Sequence, residues 1–300
     1  MAGVSVIKNI KAREILDSRG KKTVELELTT NLGKFRSSVP SGTSKGKYEA
    51  QAFEPKKAVE NINKIIAPQL RGKSVANQRA IDKSLDKKLG ANATLAVSIA
   101  VLRAGAKEKK LPLWKYIARI AETKSKLPKP AILLIEGGLH GKTGLDIQEF
   151  MVIPEGKSFA EQFSRGKKIY ENLKKILKNK FGEKGTKLGM EGAFTPPLSE
   201  PRKVLDLIME AVRGYNVKIG LDCSGSNIKK GKYGTAFYQK IARDYPILFL
   251  EDPFGEEDWQ NWKKLRYTLH ATRYKPFIVG DDLTVTNLKR IKMAHRKKAC

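Results

Sequence analysis

The sequence predicts two domains, an α+β domain followed by an α/β domain whose parallel sheet is best explained as a barrel. The first part of the chain passes from short strands to a group of helices, which is an α+β pattern. From residue 130 onward strands alternate with helices, and the last units recur at intervals of about 30 residues. The 300 residues are enough for two domains, each with its own core.

The N-terminal domain is predicted over residues 1–125. Strands are predicted at 4–10, 23–30 and 35–39, the first two from their alternation and their β-branched residues. Helices are predicted over residues 55–66, 77–88, 92–109 and 113–121. A loop with two glycines, 40–46, follows the third strand, and the Lys- and Pro-rich stretch 124–130 is typical of a linker. Together these elements form an antiparallel meander followed by helices.

The second domain is predicted over residues 126–300. Short strands are expected at 131–135 and 149–153, followed by long amphipathic helices at 158–181 and 200–213. Three strand–helix units come next, which is the alternation that favours a parallel sheet.

Three apolar runs in this second domain each end in a carboxylate, at Asp222, Glu251 and Asp281. Because the C-terminal ends of parallel strands gather on one face of a barrel, we expect these side chains to converge. A single acid after a strand is commonly a turn or helix-cap residue, so the repetition is what carries the prediction. With no His or Cys among them, the three carboxylates suit Mg²⁺ better than zinc or copper.

The formal charge of +28 raises the question of a nucleic-acid or membrane-surface partner. The lysines are dispersed along the chain without an aromatic-interleaved stripe, which favours a solvated, Lys-rich surface and no dedicated partner of either kind. No apolar run approaches the length of a membrane span, and no secretory signal is visible. Two cysteines cannot form a disulfide framework, so we expect a cytoplasmic protein.

Several motifs, in collinear order over essentially the whole chain, resemble those of the enolase family. They are Ala12-Arg13-Glu14-Ile15-Leu16-Asp17-Ser18-Arg19-Gly20, Val39-Pro40-Ser41-Gly42-Thr43-Ser44-Lys45-Gly46, Leu89-Gly90-Ala91-Asn92-Ala93, Gly137-Gly138-Leu139-His140, Gln148-Glu149-Phe150-Met151, Glu251-Asp252-Pro253-Phe254 and Gly280-Asp281-Asp282-Leu283-Thr284. The resemblance implies an N-terminal capping domain on an eight-stranded α/β barrel, in a homodimeric protein. It also implies dehydration of 2-phosphoglycerate to phosphoenolpyruvate in glycolysis, with two Mg²⁺ ions.

The resemblance further implies roles for individual residues. Asp222, Glu251 and Asp281 look like the ligands of the tighter metal, and Ser44 like a ligand of the second metal in a closing loop. In enolase-type sites Mg²⁺ stabilises the dianion that forms when a proton is removed beside a carboxylate. Gly42 and Gly46 would let the loop hinge and exclude water.

The proton donor and the substrate contacts are also implied by the family motifs. Glu191 looks like the acid that protonates the leaving hydroxyl, and Glu149 like its carboxylate neighbour, whose proximity raises one pKa of the pair. Gln148, Glu149 and His140 look like substrate-binding residues. Taken alone, Glu149 is typical of a strand-edge charge and His140 of a structural or surface histidine. His270 and His295 match no motif and are expected on the surface.

The chain also departs from the family pattern. Glu136 stands where an Asn is expected, Met190 where an acid precedes Glu191, and Ala193 where a glycine is expected. The sequence ends at Cys300, after the fifth barrel strand, and the family's lysine base and later substrate-gripping residues lie further on. We therefore expect an incomplete barrel and little activity from residues 1–300 alone.

An alternative from a different class is a truncated, non-catalytic relative that binds RNA or an acidic partner through its basic surface. The metal-binding carboxylates favour the enzyme, and the missing lysine favours the alternative. The coding sequence downstream of Cys300 would discriminate between them, because a further strand ending in lysine would belong to a full enzyme.

Overall fold

A computed structural model of the protein describes residues 5–40, 42, 46–141 and 143–300. The chain forms two compact units. One comprises Met1–Lys45 and Ala50–Lys126, and the other comprises Gly46–Glu49 and Leu127–Cys300.

The first unit is a three-stranded antiparallel sheet with helices packed against it. Its strands are β1 (Ile7–Leu16), β2 (Lys22–Thr30) and β3 (Gly33–Val39), paired in that order. Its helices are α1 (Pro55–Asn61), continued by a π-helical turn at Ile62–Ile66 into α2 (Ala67–Leu70), then α3 (Gln78–Ser84), α4 (Ala91–Glu108) and α5 (Leu113–Ile120), with a 3-10 turn at Lys87–Leu89. The strand predicted at 4–10 was too short, because β1 stays paired with β2 up to Leu16. Beyond Ala12 the β1 side chains are no longer buried, so the apolar alternation ends before the strand does.

Helix α4 supplies the apolar face that covers this sheet. Its buried side chains are small, among them Ala93, Ala96, Val97 and Ala100. Small residues let a helix approach a sheet closely, and the β2 residues opposite, such as Leu26, are fully buried.

The second unit contains one five-stranded sheet in the order β4-β5-β6-β7-β8. The strands are β4 (Ile132–Glu136), β5 (Glu149–Pro154), β6 (Val217–Asp222), β7 (Ile247–Glu251) and β8 (Phe277–Val279). The helices are α6 (Gly138–Gly141), α7 (Phe159–Phe181), α8 (Pro201–Ala211), α9 (Thr235–Asp244), α10 (Trp259–Leu269) and α11 (Leu288–Lys297), with 3-10 turns at Gly182–Thr186 and Gly225–Asn227. Over the described residues β4 and β8 are the two ends of the sheet, which is not closed.

The predicted parallel sheet is correct for β6, β7 and β8 and wrong for β5, which runs antiparallel to both neighbours. Two features of the connections explain the reversal. Only the short helix α6 lies between β4 and β5, so the chain turns back instead of crossing over. Two consecutive helices, α7 and α8, then join β5 to β6, and the extra helix reverses the chain once more.

The helices of the second unit pack on the sheet through a continuous apolar core. Its largest fully buried side chains include Trp262, Tyr238, Phe150 and Phe194. In the described part of the chain, no helix has the length and apolar character that crossing a membrane requires. The ends of several strands that emerge from this core carry acidic side chains.

Candidate active site

A row of acidic side chains follows one edge of the five-stranded sheet. Glu136 pairs with Glu149, Glu149 with Asp222, and Asp222 with Glu251 across successive strands. The antiparallel direction of β5 is what places its first residue, Glu149, beside the last residues of β4 and β6. Strand pairing therefore brings together acids from four different elements, and neighbouring pairs in a sheet have Cβ atoms about 5 Å apart.

Carboxylate oxygens of Asp222, Glu251 and Asp252 lie within 4.8 Å of one another. Burial raises the pKa of Glu251 to about 8, and the charges of Asp222 and Asp281 add to the effect. Burial also raises the pKa of Asp222. A divalent cation would relieve this repulsion, because it favours the charged forms that burial and like charges disfavour.

Two hydrogen bonds fix the orientation of Asp222. The Gln148 side-chain amide donates to its Oδ2 at 3.0 Å, and the Ser224 backbone N–H donates to its Oδ1 at 2.9 Å. Both bonds favour the ionised carboxylate and so oppose the effect of burial on its pKa. These two bonds therefore hold the Asp222 carboxylate in place beside those of Glu251 and Asp252.

Asp252 was not anticipated from the sequence, and it occupies the place in the compact group where Asp281 was expected. Its carboxylate accepts hydrogen bonds from the backbone N–H groups of Asp281 (3.2 Å), Asp282 (2.7 Å) and Leu283 (3.2 Å). Asp252 is 2% exposed and has a φ of +40°, an unusual backbone conformation for a residue with a side chain. Asp252 therefore holds the loop after β8, and Asp281 lies near enough to raise the pKa of both Asp222 and Glu251.

A second group consists of His140, Glu149 and Glu191, whose ligand atoms also lie within 4.8 Å of one another. His140 Nδ1 is 3.6 Å from a Glu149 oxygen and 3.7 Å from a Glu191 oxygen. The pKa of Glu149 is raised to about 8, mainly by burial and also by the charges of Asp222, Glu191 and Glu136 and by a hydrogen bond with Glu191 that favours its protonated form. At neutral pH the pair of glutamates therefore carries a proton.

Three buried polar atoms beside this group have no hydrogen-bond partner among the described residues. They are both ring nitrogens of His140 and Oε1 of Gln148. His140 and Gln148 are 6% and 4% exposed, so bulk water does not satisfy them fully. Buried polar groups without partners are costly, and a bound polar ligand is one way to satisfy them.

Ser44, expected to bind a second metal, lies outside the described residues. The end of its loop, Gly46–Glu49, belongs to the second unit. There Lys47 donates its backbone N–H to Glu256 at 3.2 Å, and the Arg290 guanidinium lies between the rings of Tyr48 and Trp259. The far end of the loop is thus fixed to the second unit.

A groove of about 600 Å³ opens elsewhere in the second unit, between the loops after β6 and β7. Its lining contains both lysines, such as Lys229, and acids, such as Glu256. The groove therefore favours neither an anionic nor a cationic ligand. Glu149, Asp222 and Glu251 do not line it.

The donor set fits a hard divalent cation. All the oxygen donors of the first group are carboxylates, the pKa values of its members are raised, and Mg²⁺ prefers such ligands.

Two family models together match most of this chain. Residues 7–117 match a family model described as "Enolase, N-terminal domain", and residues 124–236 and 228–300 match "Enolase, C-terminal TIM barrel domain". A similar curated relative is "Enolase 1" of Entamoeba histolytica, which is 40% identical over 343 aligned residues. The alignment covers 98% of this chain and 78% of the relative.

Proposed function

Because the chain belongs to the enolase family of hydro-lyases, we propose that its acidic sheet edge serves the Mg²⁺-dependent dehydration of 2-phosphoglycerate to phosphoenolpyruvate. The observation that carries this proposal is the row formed by Glu149, Asp222 and Glu251, aligned by strand register, with all three pKa values raised. A surface row of acids would be solvated and unperturbed, whereas clustered, buried and perturbed carboxylates are typical of functional sites.

We assign Asp222, Glu251 and Asp281 as the ligands of the first Mg²⁺ and Ser44 as a ligand of the second. When bound, Mg²⁺ supplies positive charge for the dianion that the reaction generates. Asp281 is preferred to Asp252 because the Asp252 oxygens already accept three backbone N–H groups. Asp252 then acts on the site by holding the segment that carries Asp281.

The leaving hydroxyl requires a proton, and the Glu149–Glu191 pair provides one. Glu149 retains its proton near neutral pH because it is buried among other acids. The Glu191 side chain is 47% exposed, so a molecule from solvent can reach it. We assign proton delivery to Glu191, with Glu149 as the neighbour that keeps the proton within the pair.

His140 and Gln148 are assigned to substrate binding. Their unsatisfied buried polar atoms support this role, because polar groups of an incoming ligand would complete their hydrogen bonds. Gln148 also fixes Asp222, so it links the substrate side of the site to the metal ligands. By analogy with the family we further propose a cytoplasmic homodimer.

Metal and substrate binding together test the proposed function. Isothermal titration should detect Mg²⁺ binding that Asp222→Asn and Glu251→Gln each weaken at least about tenfold. A coupled assay for phosphoenolpyruvate should detect turnover when residues 1–300 are supplemented with the C-terminal segment of a complete relative. The control is Glu183→Gln, which alters an exposed ion pair with Lys178. Mg²⁺ affinity unchanged by both site substitutions would contradict the assignment.

A further inference from the structure

Glu136, the last residue of β4, is a fully buried carboxylate. Among the described residues its side chain forms no ion pair with a basic group. Its partners are backbone N–H groups in the segment 188–194, which carries Glu191. A buried carboxylate held by backbone donors is unusual, and here one of the donors is the backbone N–H of Glu191, the proposed proton donor.

Both oxygens of the Glu136 carboxylate accept hydrogen bonds from backbone N–H groups. Its Oε1 accepts from the N–H of Ala193 at 2.7 Å and of Glu191 at 3.1 Å, and its Oε2 accepts from the N–H of Glu191 at 3.2 Å. The two donors flank Gly192, whose φ of +84° turns both N–H groups toward the same side.

The segment around Glu191 is shaped to receive this carboxylate. A Cβ atom at Gly189 would lie 2.3 Å from Glu136 Oε2, so a side chain there would displace it. Gly189 also donates its N–H to the Ala193 carbonyl at 2.9 Å, which closes the segment around Glu136. The chain thus forms a tight loop whose centre is the Glu136 carboxylate.

Apart from its hydrogen bond with Glu149, the half-exposed side chain of Glu191 has little to hold it, since its other close partner among the described residues, His140, lies 3.7 Å away. Its position relative to Glu149 therefore depends on where its backbone is held. We propose that Glu136 is a positioning residue that fixes Glu191 against Glu149 by binding the backbone N–H groups of Glu191 and Ala193. The role of Glu191 in this statement rests on the proposed function, whereas the backbone contacts do not.

The departures from the family pattern fit this role. An Asn at position 136 would be one methylene shorter and so would reach less far toward the two N–H groups, and its amide nitrogen could not accept the contact that Oε2 makes with the Glu191 N–H. Met190, between Gly189 and Glu191, is 48% exposed and apolar, and adds no charge to the segment. In this chain the carboxylate of Glu136 is the acidic group that orders the segment.

The first test measures backbone protection and is independent of activity. Amide hydrogen exchange should be slow at Glu191 and Ala193 and should accelerate by about 10- to 100-fold in Glu136→Leu. Glu136→Gln keeps one acceptor oxygen and should show a smaller acceleration, which also serves if the Leu variant folds poorly. The control is Ser37→Ala, which removes a buried hydrogen bond to Ala96 in the first unit and should leave both amides protected. Unchanged exchange at both amides in both variants would overturn the proposal.

The second test separates positioning from a general structural role. With Mg²⁺, and with residues 1–300 supplemented by the C-terminal segment of a complete relative, Glu136→Leu should lower kcat for dehydration by about 10- to 100-fold while KM for 2-phosphoglycerate changes less than about threefold. Exchange of the substrate α-proton with solvent needs no leaving-group proton and should be retained. Loss of exchange and dehydration together would mean that Glu136 only supports the fold, which contradicts the proposal. A parent protein with protected amides but no reaction under these conditions would refute the proposed function, while the protected amides would still support Glu136 as the residue that holds the Glu191 backbone.

Discussion

Replacing Glu251 with Gln removes a carboxyl group that burial and neighbouring acids keep protonated, so it should change how stability depends on pH. The pKa of Glu251 is raised from an ordinary value of 4.5 to about 8 in the folded protein. The folded state therefore binds more protons than the unfolded state between these values. The stability that Glu251 contributes is therefore fully present below pH 4.5 and is lost as the pH rises toward 8.

The size of the effect follows from the same pKa values. A rise from 4.5 to about 8 corresponds to at most about 5 kcal/mol of unfolding free energy lost across this range. The realised value should be nearer about 2 kcal/mol, since Asp222 shares the protons and the site is partly exposed. Mg²⁺ at about 100 times its dissociation constant should restore about 2.7 kcal/mol at high pH.

The assay is urea unfolding near pH 5 and near pH 8, with EDTA or with Mg²⁺. The parent protein in EDTA should lose stability between the two pH values, and Glu251→Gln should lose about 2 kcal/mol less. Glu183→Gln, a surface control, should follow the parent. The reasoning is refuted if the parent and Glu251→Gln show the same pH dependence of stability in EDTA. It is also refuted if the Glu251 carboxyl group makes the protein more stable near pH 8 than near pH 5.

Three further predictions concern other residues. Glu149→Gln should fold normally and lower dehydration by about 10²–10⁴-fold, measured as phosphoenolpyruvate formation by residues 1–300 supplemented with the C-terminal segment of a complete relative; full activity would remove Glu149 from the proton-donating pair. Asp252→Asn should weaken Mg²⁺ binding about 10-fold in titration calorimetry by loosening the segment of Asp281, and unchanged affinity would contradict its positioning role. Gly220→Ala should cost about 1–3 kcal/mol in urea unfolding, because the new Cβ would lie 2.2 Å from the Phe249 ring; unchanged stability would show that the ring can move.

Two of the proposed metal ligands could be predicted from the sequence by a simple rule. Asp222 and Glu251 end parallel strands, and parallel strands align their C-terminal ends. Glu149 was found through the family motif alone, because it begins its strand. Its place in the row depends on the antiparallel direction of β5, which the two consecutive helices α7 and α8 could have indicated.

Other site features depend on side-chain packing that no local pattern encodes. Asp252 directly follows Glu251, and alternation along a strand would direct it away from the site. Its own backbone has a positive φ, and its three backbone partners lie in the loop after β8, about 30 residues further along the chain. Glu136 was noticed only as a departure from a motif, and its partners, the backbone groups around Glu191, lie more distant in sequence still.

Anomalous diffraction from crystals soaked in Mn²⁺, a substitute for Mg²⁺, tests the central assignment most directly. We predict a peak bound by carboxylate oxygens of Asp222, Glu251 and Asp281, with Asp252 still bound to the backbone of the Asp281 segment. The ligand assignment is contradicted by a peak that uses Asp252 in place of Asp281. The acidic sheet edge loses its proposed function if saturating Mn²⁺ gives no peak beside Asp222 and Glu251.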